Sequence, residues 1–181
     1  MAAGGRVGRR GLLGLLAVPA LGACGFHPLY ASASHDTAGP AAEGLAETQV
    51  ALIPERPGQL LREALQERFE RSGIVPAYRY DLTVSFNITG EAIAIQPDSS
   101  NSRMRMIGIA TYQLIAQDPG RSTLTTGTAR VVDGLDLYDQ QLFAAALETE
   151  AVQQRLAEAV ADEITQQLAV YFDRRAALAT R

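Results

Sequence analysis

Residues Tyr78 to Thr89 alternate almost without fault, and this alternation limits the possible folds more than any other feature of the chain. Tyr78, Tyr80, Leu82, Val84, Phe86 and Ile88 fall on one side; Arg79, Asp81, Thr83, Ser85, Asn87 and Thr89 fall on the other. Successive side chains of a strand point to opposite faces of its sheet, so the segment reads as a strand with one buried and one wetted face. A sheet built around it needs cover on one side only. Gly90 breaks the phase, because Ile93 and Ile95 resume on odd numbers, and a bulge at Gly90 is the expected cause.

The neighbouring segments supply the rest of that sheet. Gln96 to Asn101 reads as a turn, and Arg103 to Gln117 as a second long strand with Met104, Met106, Ala110, Tyr112 and Leu114 on one face. Asp118-Pro119-Gly120 turns the chain again into a threonine-rich third strand over Leu124 to Val132. Upstream, Thr48 to Ile53 is a short apolar strand stopped by Pro54 and Pro57. Gln59 to Ser72 sets Leu60, Leu61, Ala64, Leu65 and Phe69 at helical spacing, closed by Ser72-Gly73.

Beyond Asp133-Gly134 the period changes. Phe143, Leu147, Val152, Leu156, Val160, Ile164, Leu168 and Phe172 form a stripe one face wide, which predicts a helix from near Asp139 to about Arg174. Such length suits a helix lying across a whole sheet or one facing a partner, and the narrow stripe favours the first. Tight turns between strands require antiparallel neighbours. The expected fold is therefore α+β: a two-layer sandwich in the order β-α-β-β-β-α, with a mainly antiparallel four-stranded sheet covered by two helices.

The N-terminus is of a different kind. Arg6, Arg9 and Arg10 precede an uncharged apolar run from Gly11 to Ala23, which ends at the only cysteine, Cys24. This is the layout of a secretory signal peptide, too short for a membrane span of about 20 residues. Leu21-Gly22-Ala23-Cys24 resembles a bacterial lipobox, in which Leu21, Gly22 and Ala23 mark the cleavage site and Cys24 takes the lipid. A thiolate is the nucleophile that a thioether to diacylglycerol needs. Several acyl chains anchor stably where one does not. Gly25 follows the cysteine, and the absence of Asp there favours the outer membrane. Arg9-Arg10 before Gly11-Leu12-Leu13 also resembles a twin-arginine signal, so two export routes stay open.

The expected organisation is a lipoprotein signal peptide over 1–23, a lipidated N-terminus and flexible tether over 24–46, and one α+β domain over 47–181. Ala31 to Ala46, rich in Ala, Ser and Gly and without periodicity, is the basis for the tether. Cleavage after Ala23 removes three arginines and no acids, leaving 13 arginines against 20 acids, a net charge of −7. An acidic body argues against general adhesion to anionic membranes and against nucleic acid, so any anionic ligand must be held by a few placed arginines. Hydrophobic content of 47% with 20% charged residues argues against disorder.

Catalytic chemistry is not expected. Both histidines, His27 and His35, lie in the N-terminal region, and Cys24 is taken by the anchor. There is no glycine-rich phosphate loop, paired Cys-x-x-Cys or His-Glu-x-x-His. The carboxylate pairs Glu148/Glu150 and Asp162/Glu163 belong to a predicted helix exterior, where they read as solvated charge. Asn87-Ile88-Thr89 matches the glycosylation triplet and reads as strand. Neither a metal nor a cofactor is expected beyond the covalent diacylglycerol and N-acyl lipid on Cys24.

Cys-Gly-Phe-His-Pro-Leu-Tyr, from Cys24 to Tyr30, resembles the opening of the lipopolysaccharide-assembly lipoproteins of the LptE family, the alphaproteobacterial branch in particular. The order of elements, the Arg103-Met104-Arg105 strand opening, Ala110-Thr111-Tyr112-Gln113-Leu114, and Asp133 to Gln141 leading into the long helix are similar too. The resemblance implies a plug inside the large outer-membrane β-barrel protein LptD, which delivers lipopolysaccharide to the cell surface; it also implies help in that barrel's assembly and contact with lipopolysaccharide.

A wet sheet face suits a polar barrel interior. Phe26, Leu29 and Tyr30 suit either the membrane interface or packing on the sheet edge. For lipopolysaccharide the candidate contacts are Arg103, Arg105, Arg121 and Arg130, whose forked guanidiniums match phosphate, expected to cluster near strand ends joined by the Asp118-Pro119-Gly120 turn. Ordinary charge spacing on an exposed face is the plain alternative for each. The rival partners are a cell-wall synthase, activated by such a lipoprotein, and a lipid-transport ABC system that it assists; an anchored hydrolase lacks a catalytic set.

Overall fold

The computed structural model describes residues 39–70, 77–95, 101–136 and 142–180. Helix α1 (Pro40–Ala46) opens the described chain, followed by β1 (Thr48–Val50), α2 (Glu55–Phe69), β2 (Tyr80–Ile95), β3 (Asn101–Ala116), β4 (Thr123–Asp136) and α3 (Leu142–Ala179). The strands form one sheet in the order β1-β2-β3-β4. Antiparallel pairing joins β2 to β3 and β3 to β4, whereas β1 runs parallel to β2.

The expected two-layer α+β arrangement is thus present, with two corrections. The sheet is mixed, because α2 acts as a crossover that returns the chain beside β1 in the same direction, as parallel neighbours require. The described helices number three, because α1 occupies the last seven residues of the segment read as tether. Pro40 starts α1, where its fixed φ and missing N–H cost nothing, and Ala41, Gly44 and Leu45 are buried. Gly44 is required by close approach: a Cβ there would overlap the Phe172 ring of α3. Thr48 then donates its hydroxyl to the Gly44 carbonyl at 2.7 Å, satisfying one of the terminal carbonyls that a helix leaves open.

The core lies between the sheet and the helices. Leu82, Val84, Ala110, Tyr112, Leu114 and Ala129 from the sheet, and Leu61 and Leu65 from α2, meet Val160, Ile164 and Leu168 of α3 in one cluster. Val152 and Leu156 continue the same stripe against Ile88, Met104, Met106 and Val131. Each fully buried aliphatic side chain contributes about 1.5–3 kcal/mol by leaving water. The 38 residues of α3 span about 57 Å at 1.5 Å per residue. The 16-residue strands β2 and β3 span a similar length, about 54 Å. The helix is long because it runs along the whole sheet, as the narrow stripe implied.

Several details differ from expectation: α3 runs on to Ala179, past Arg174, and β4 extends to Asp136, past Val132. Helix α2 starts at Glu55, ahead of Gln59, since Pro57 lies in the first turn where a missing N–H is tolerated; Ser72 and Gly73 lie outside the described residues. Gly90 pairs in register with Met106, and the irregularities fall at Ala92/Ala94 and Ala94/Ile95. Gly90 leaves room for the tips of two methionines: a Cβ would sit 2.8 Å from Met104 Cε and 3.1 Å from Met106 Sδ, flexible ends that would have to shift. Strand β1 ends at Val50, ahead of Ile53.

Candidate functional site

Among the described residues, no helix lies over one face of the sheet. The strand register sorts it into rows. Thr83, Gln113 and Thr126 form one row, and Ser85, Thr111 and Thr128 the next. The following rows are Asn87, Ile109 and Arg130; then Thr89, Ile107 and Val132; then Glu91, Arg105 and Gly134. The face therefore changes character along its length, from hydroxyls and amide through an apolar island to cations.

The register separates the four arginines that the sequence grouped. Arg103 and Arg105 lie on β3 near the β2–β3 hairpin, and Arg130 stands on β4 opposite Ile109. Arg105 is four residues along β3 from that row, about 14 Å. Its contact with Glu91 is long, at 4.0 Å, and both side chains are at least half exposed. The Arg103 guanidinium passes over Gly134, within ordinary contact distance of where a Cβ there would sit. Arg121 is at the opposite end, about 34 Å from the Arg105 row. There its N–H closes the Asp118 turn at 3.0 Å, its φ is 43°, and its guanidinium meets Asp81 at 3.1 Å. The structure thus places Arg121 in the turn, paired with Asp81, Arg103 and Arg105 near the β2–β3 hairpin, and Arg130 midway along the face, with the Ile107–Val132 row between it and Arg105.

The apolar island between them was missed in the sequence. Ile107 is only 6% exposed despite standing on the wetted face, while Ile109 and Val132 remain 38% and 46% exposed. The signal was present: isoleucines at odd positions 107 and 109 interrupt the even-numbered core pattern of β3. An apolar surface flanked by guanidiniums is suited to a ligand carrying both hydrocarbon and phosphate.

The other end of the face is a shallow groove of about 470 Å³ lined by Thr83, Ser85, Thr111, Gln113, Thr126 and Thr128, with Gly127 and Tyr112 behind. None of the first six side chains makes a hydrogen bond to another described residue. Tyr112 belongs to the core side: a Cβ on Gly127 would collide with its ring, and its hydroxyl donates to Gln167 Oε1 at 2.7 Å. Gln167 in turn donates to Glu163 at 2.8 Å and to the Thr128 carbonyl at 3.3 Å. Burial, and secondarily the Glu163 charge, raises the Tyr112 pKa above its usual 10.0.

The helical face carries no assembled chemistry either. Between α2 and α3, Glu63, Glu67, Glu158 and Asp162 rim a second groove, and Arg68 fills its charge. Arg68 donates to Asp162 at 2.7 Å, to the Ala64 carbonyl at 2.8 Å and to the Glu158 carbonyl at 3.2 Å. Asp162 and Glu163 are therefore engaged with different partners and do not act as a pair. Among the described residues no three His, Cys, Asp or Glu side chains converge as metal ligands, and no helix is long and apolar enough to cross a membrane. Leu21, Gly22, Ala23 and Cys24, and Phe26, Leu29 and Tyr30 with them, lie outside the described residues.

The described residues form a two-layer α+β domain, a mixed sheet with helices on one face and a mainly polar, partly basic face left open, and no catalytic constellation is assembled among them. The same fold occurs in bacterial lipoproteins. A crystal structure of a Caulobacter crescentus lipoprotein aligns with a TM-score of 0.61 at 23% identity, over 74% of this chain and 98% of that one. Rare lipoprotein B from Shewanella oneidensis aligns at 0.52 and 15% identity, over 68% and 93%. A lipoprotein B from Nitrosomonas europaea aligns at 0.51 and 13% identity, over 68% and 82%. No curated protein matches the sequence. The profile of the LptE family, described as lipopolysaccharide-assembly, matches residues 45–168, and the chain belongs to that family. Its role accordingly lies in lipopolysaccharide assembly.

Proposed function

We propose that this chain is an outer-membrane lipoprotein, anchored through Cys24 on the periplasmic side, that plugs and helps assemble the lipopolysaccharide-translocating β-barrel protein LptD. It acts by binding, without catalysis. The observation that carries this reading is the uncovered sheet face. A 14-residue edge strand and two 16-residue strands present polar side chains at both ends of that face, on either side of an apolar island, a largely polar surface that suits the polar interior of a barrel. On that face Arg103, Arg105 and Arg130, with Ile107, Ile109 and Val132, form the contact for lipopolysaccharide: guanidiniums on phosphate and isoleucines on acyl chain.

Affinity purification of the C-terminally tagged full chain from detergent-solubilised envelopes, followed by mass spectrometry, tests the plug. Stoichiometric recovery of an outer-membrane β-barrel protein is expected. Recovery of a cell-wall synthase or an inner-membrane transport complex in its place refutes it. The anchor is tested on the same preparation: the mature N-terminal peptide carries acyl chains on Cys24, and Cys24→Ser leaves the leader uncleaved or the protein unlipidated.

A further inference from the structure

We propose that the open face takes its glycolipid lengthwise, with uncharged sugar rings in the hydroxyl groove and the phosphates at the Arg105–Arg130 end. This rests on the lipopolysaccharide reading above and adds to it a second subsite and a direction.

The groove is chemically unlike the rest of the face. Five hydroxyls, on Thr83, Ser85, Thr111, Thr126 and Thr128, surround the amide of Gln113, and no charged side chain lines it. Each hydroxyl offers one donor and two acceptors, and the amide offers both kinds. None is spent on another described side chain, so the whole set faces outward. An anion finds no cation there and a metal ion no carboxylate, whereas a polyhydroxylated ring matches donors and acceptors at every edge. The volume of about 470 Å³ falls within the range of about 300–1,000 Å³ usual for small-ligand sites. Four of the six side chains are threonines, whose branched Cβ holds the hydroxyl in few rotamers, so little freedom is lost on binding.

Position fixes the direction. The Ser85–Thr111–Thr128 row adjoins the Asn87–Ile109–Arg130 row, two residues along each strand, or about 7 Å. A phosphate held by Arg130 therefore places the ring that carries it beside the first hydroxyl row and the sugars glycosidically linked to that ring over the groove. Beyond Arg130 the face runs through Ile107 and Val132 to Arg105, where acyl chains find apolar surface and the hydroxyl rows are absent.

The test is NMR titration of the ¹⁵N-labelled full chain in detergent with two probes. One is core oligosaccharide freed of lipid and phosphate; the other is phosphorylated lipid A without core sugars. The oligosaccharide is expected to shift amides of residues 83, 85, 111, 113, 126 and 128, and lipid A those of 105, 107, 109 and 130. Thr111→Val with Thr128→Val keeps shape and strand propensity and is expected to weaken oligosaccharide binding roughly tenfold or more. Thr111→Ser with Thr128→Ser restores it.

The inference is overturned if the oligosaccharide leaves the groove amides unmoved, or if the valine pair binds it as well as the native chain does. It is also overturned if the valine pair loses the copurifying barrel while binding oligosaccharide normally, for the groove is then a protein contact. Failure of the lipid A probe at the arginines counts separately, against the lipopolysaccharide reading itself.

Discussion

Gly44→Ala separates two accounts of α1 by the sign of its effect. If α1 were a loose surface helix continuing a tether, replacing a mid-helix glycine by alanine would stabilise it by about 0.5–1 kcal/mol. In the structure the new methyl overlaps the ring of Phe172, which is 5% exposed and packed against Tyr80 at 5.3 Å and Tyr171 at 5.4 Å. The ring cannot turn aside without disturbing both neighbours, and forcing a methyl into such a site costs about 1–3 kcal/mol. Subtracting the propensity gain leaves a net change between about 0 and 2.5 kcal/mol of destabilisation. Urea unfolding of the native and Gly44→Ala chains, with equal slopes, reads this directly. Pairing it with Phe172→Leu, which opens space, is expected to recover part of the loss as a favourable coupling. A Gly44→Ala chain more stable than the native one refutes the docking of α1 on α3.

The remaining expectations concern the two faces and the core. Arg105→Glu with Arg130→Glu is expected to weaken lipid A binding at least tenfold, since charge-assisted contacts contribute about 1.5–3 kcal/mol each, while the urea midpoint stays within about 0.5 kcal/mol of native; unchanged binding in a lipid A titration removes those arginines from the site. Tyr112→Phe deletes one hydrogen bond and is expected to cost about 0.5–1.5 kcal/mol at neutral pH. Because folding raises the Tyr112 pKa above 10.0, its neutral form is favoured; that stability is complete below pH 10 and declines as pH rises through the folded value, a slope that urea melts from pH 9 upward should show in native and lose in Tyr112→Phe. Ile164→Ala, at a residue with no exposed surface, is expected to cost about 2–5 kcal/mol by the same unfolding assay.

What the sequence made legible followed one physical rule, and what it hid followed another. Strand β2 and the α3 stripe each carry their environment in a local period, so the burial of Leu82, Val84, Leu156 and Ile164 could be read residue by residue. Helix α1 has no such period: its seven residues owe their place to Gly44 meeting Phe172, a contact 128 positions away in sequence. The direction of β1 is equally non-local, because three residues encode no preference for a parallel or an antiparallel neighbour. At the candidate site, the type of residue was readable and its grouping was not. Arg103, Arg105 and Arg130 share one face only because the register pairs Ile109 with Arg130 and Arg105 with Gly134, whereas Arg121 stands in the turn at the far end, beside Asp81.

Leaving one sheet face without helices has a consequence for where function can reside. The helical side is consumed by the core and by contacts such as Arg68 with Asp162 and Arg155 with Asp133 at 2.8 Å, which tie α3 to α2 and to β4. A wholly polar open face would need no further explanation, since antiparallel sheets commonly expose one side to water. This face is not wholly polar. Ile107 is nearly buried, and Ile109 and Val132 expose apolar surface that no described residue covers, although threonine, also a strand former, would be at home at those positions in water. Isolated exposed hydrophobics are ordinary, but these stand in adjacent rows of one face and adjoin Arg130 and Arg105. Cross-strand pairing of Ile107 with Val132 supports the sheet, but it does not call for the exposed surface of Ile109 and Val132 beside Arg130, which a phosphate-bearing lipid lying across it would use. Replacing Ile109 and Val132 by threonine should therefore leave the urea midpoint nearly unchanged and weaken lipid A binding, and a loss of stability without a loss of binding would return both residues to the fold.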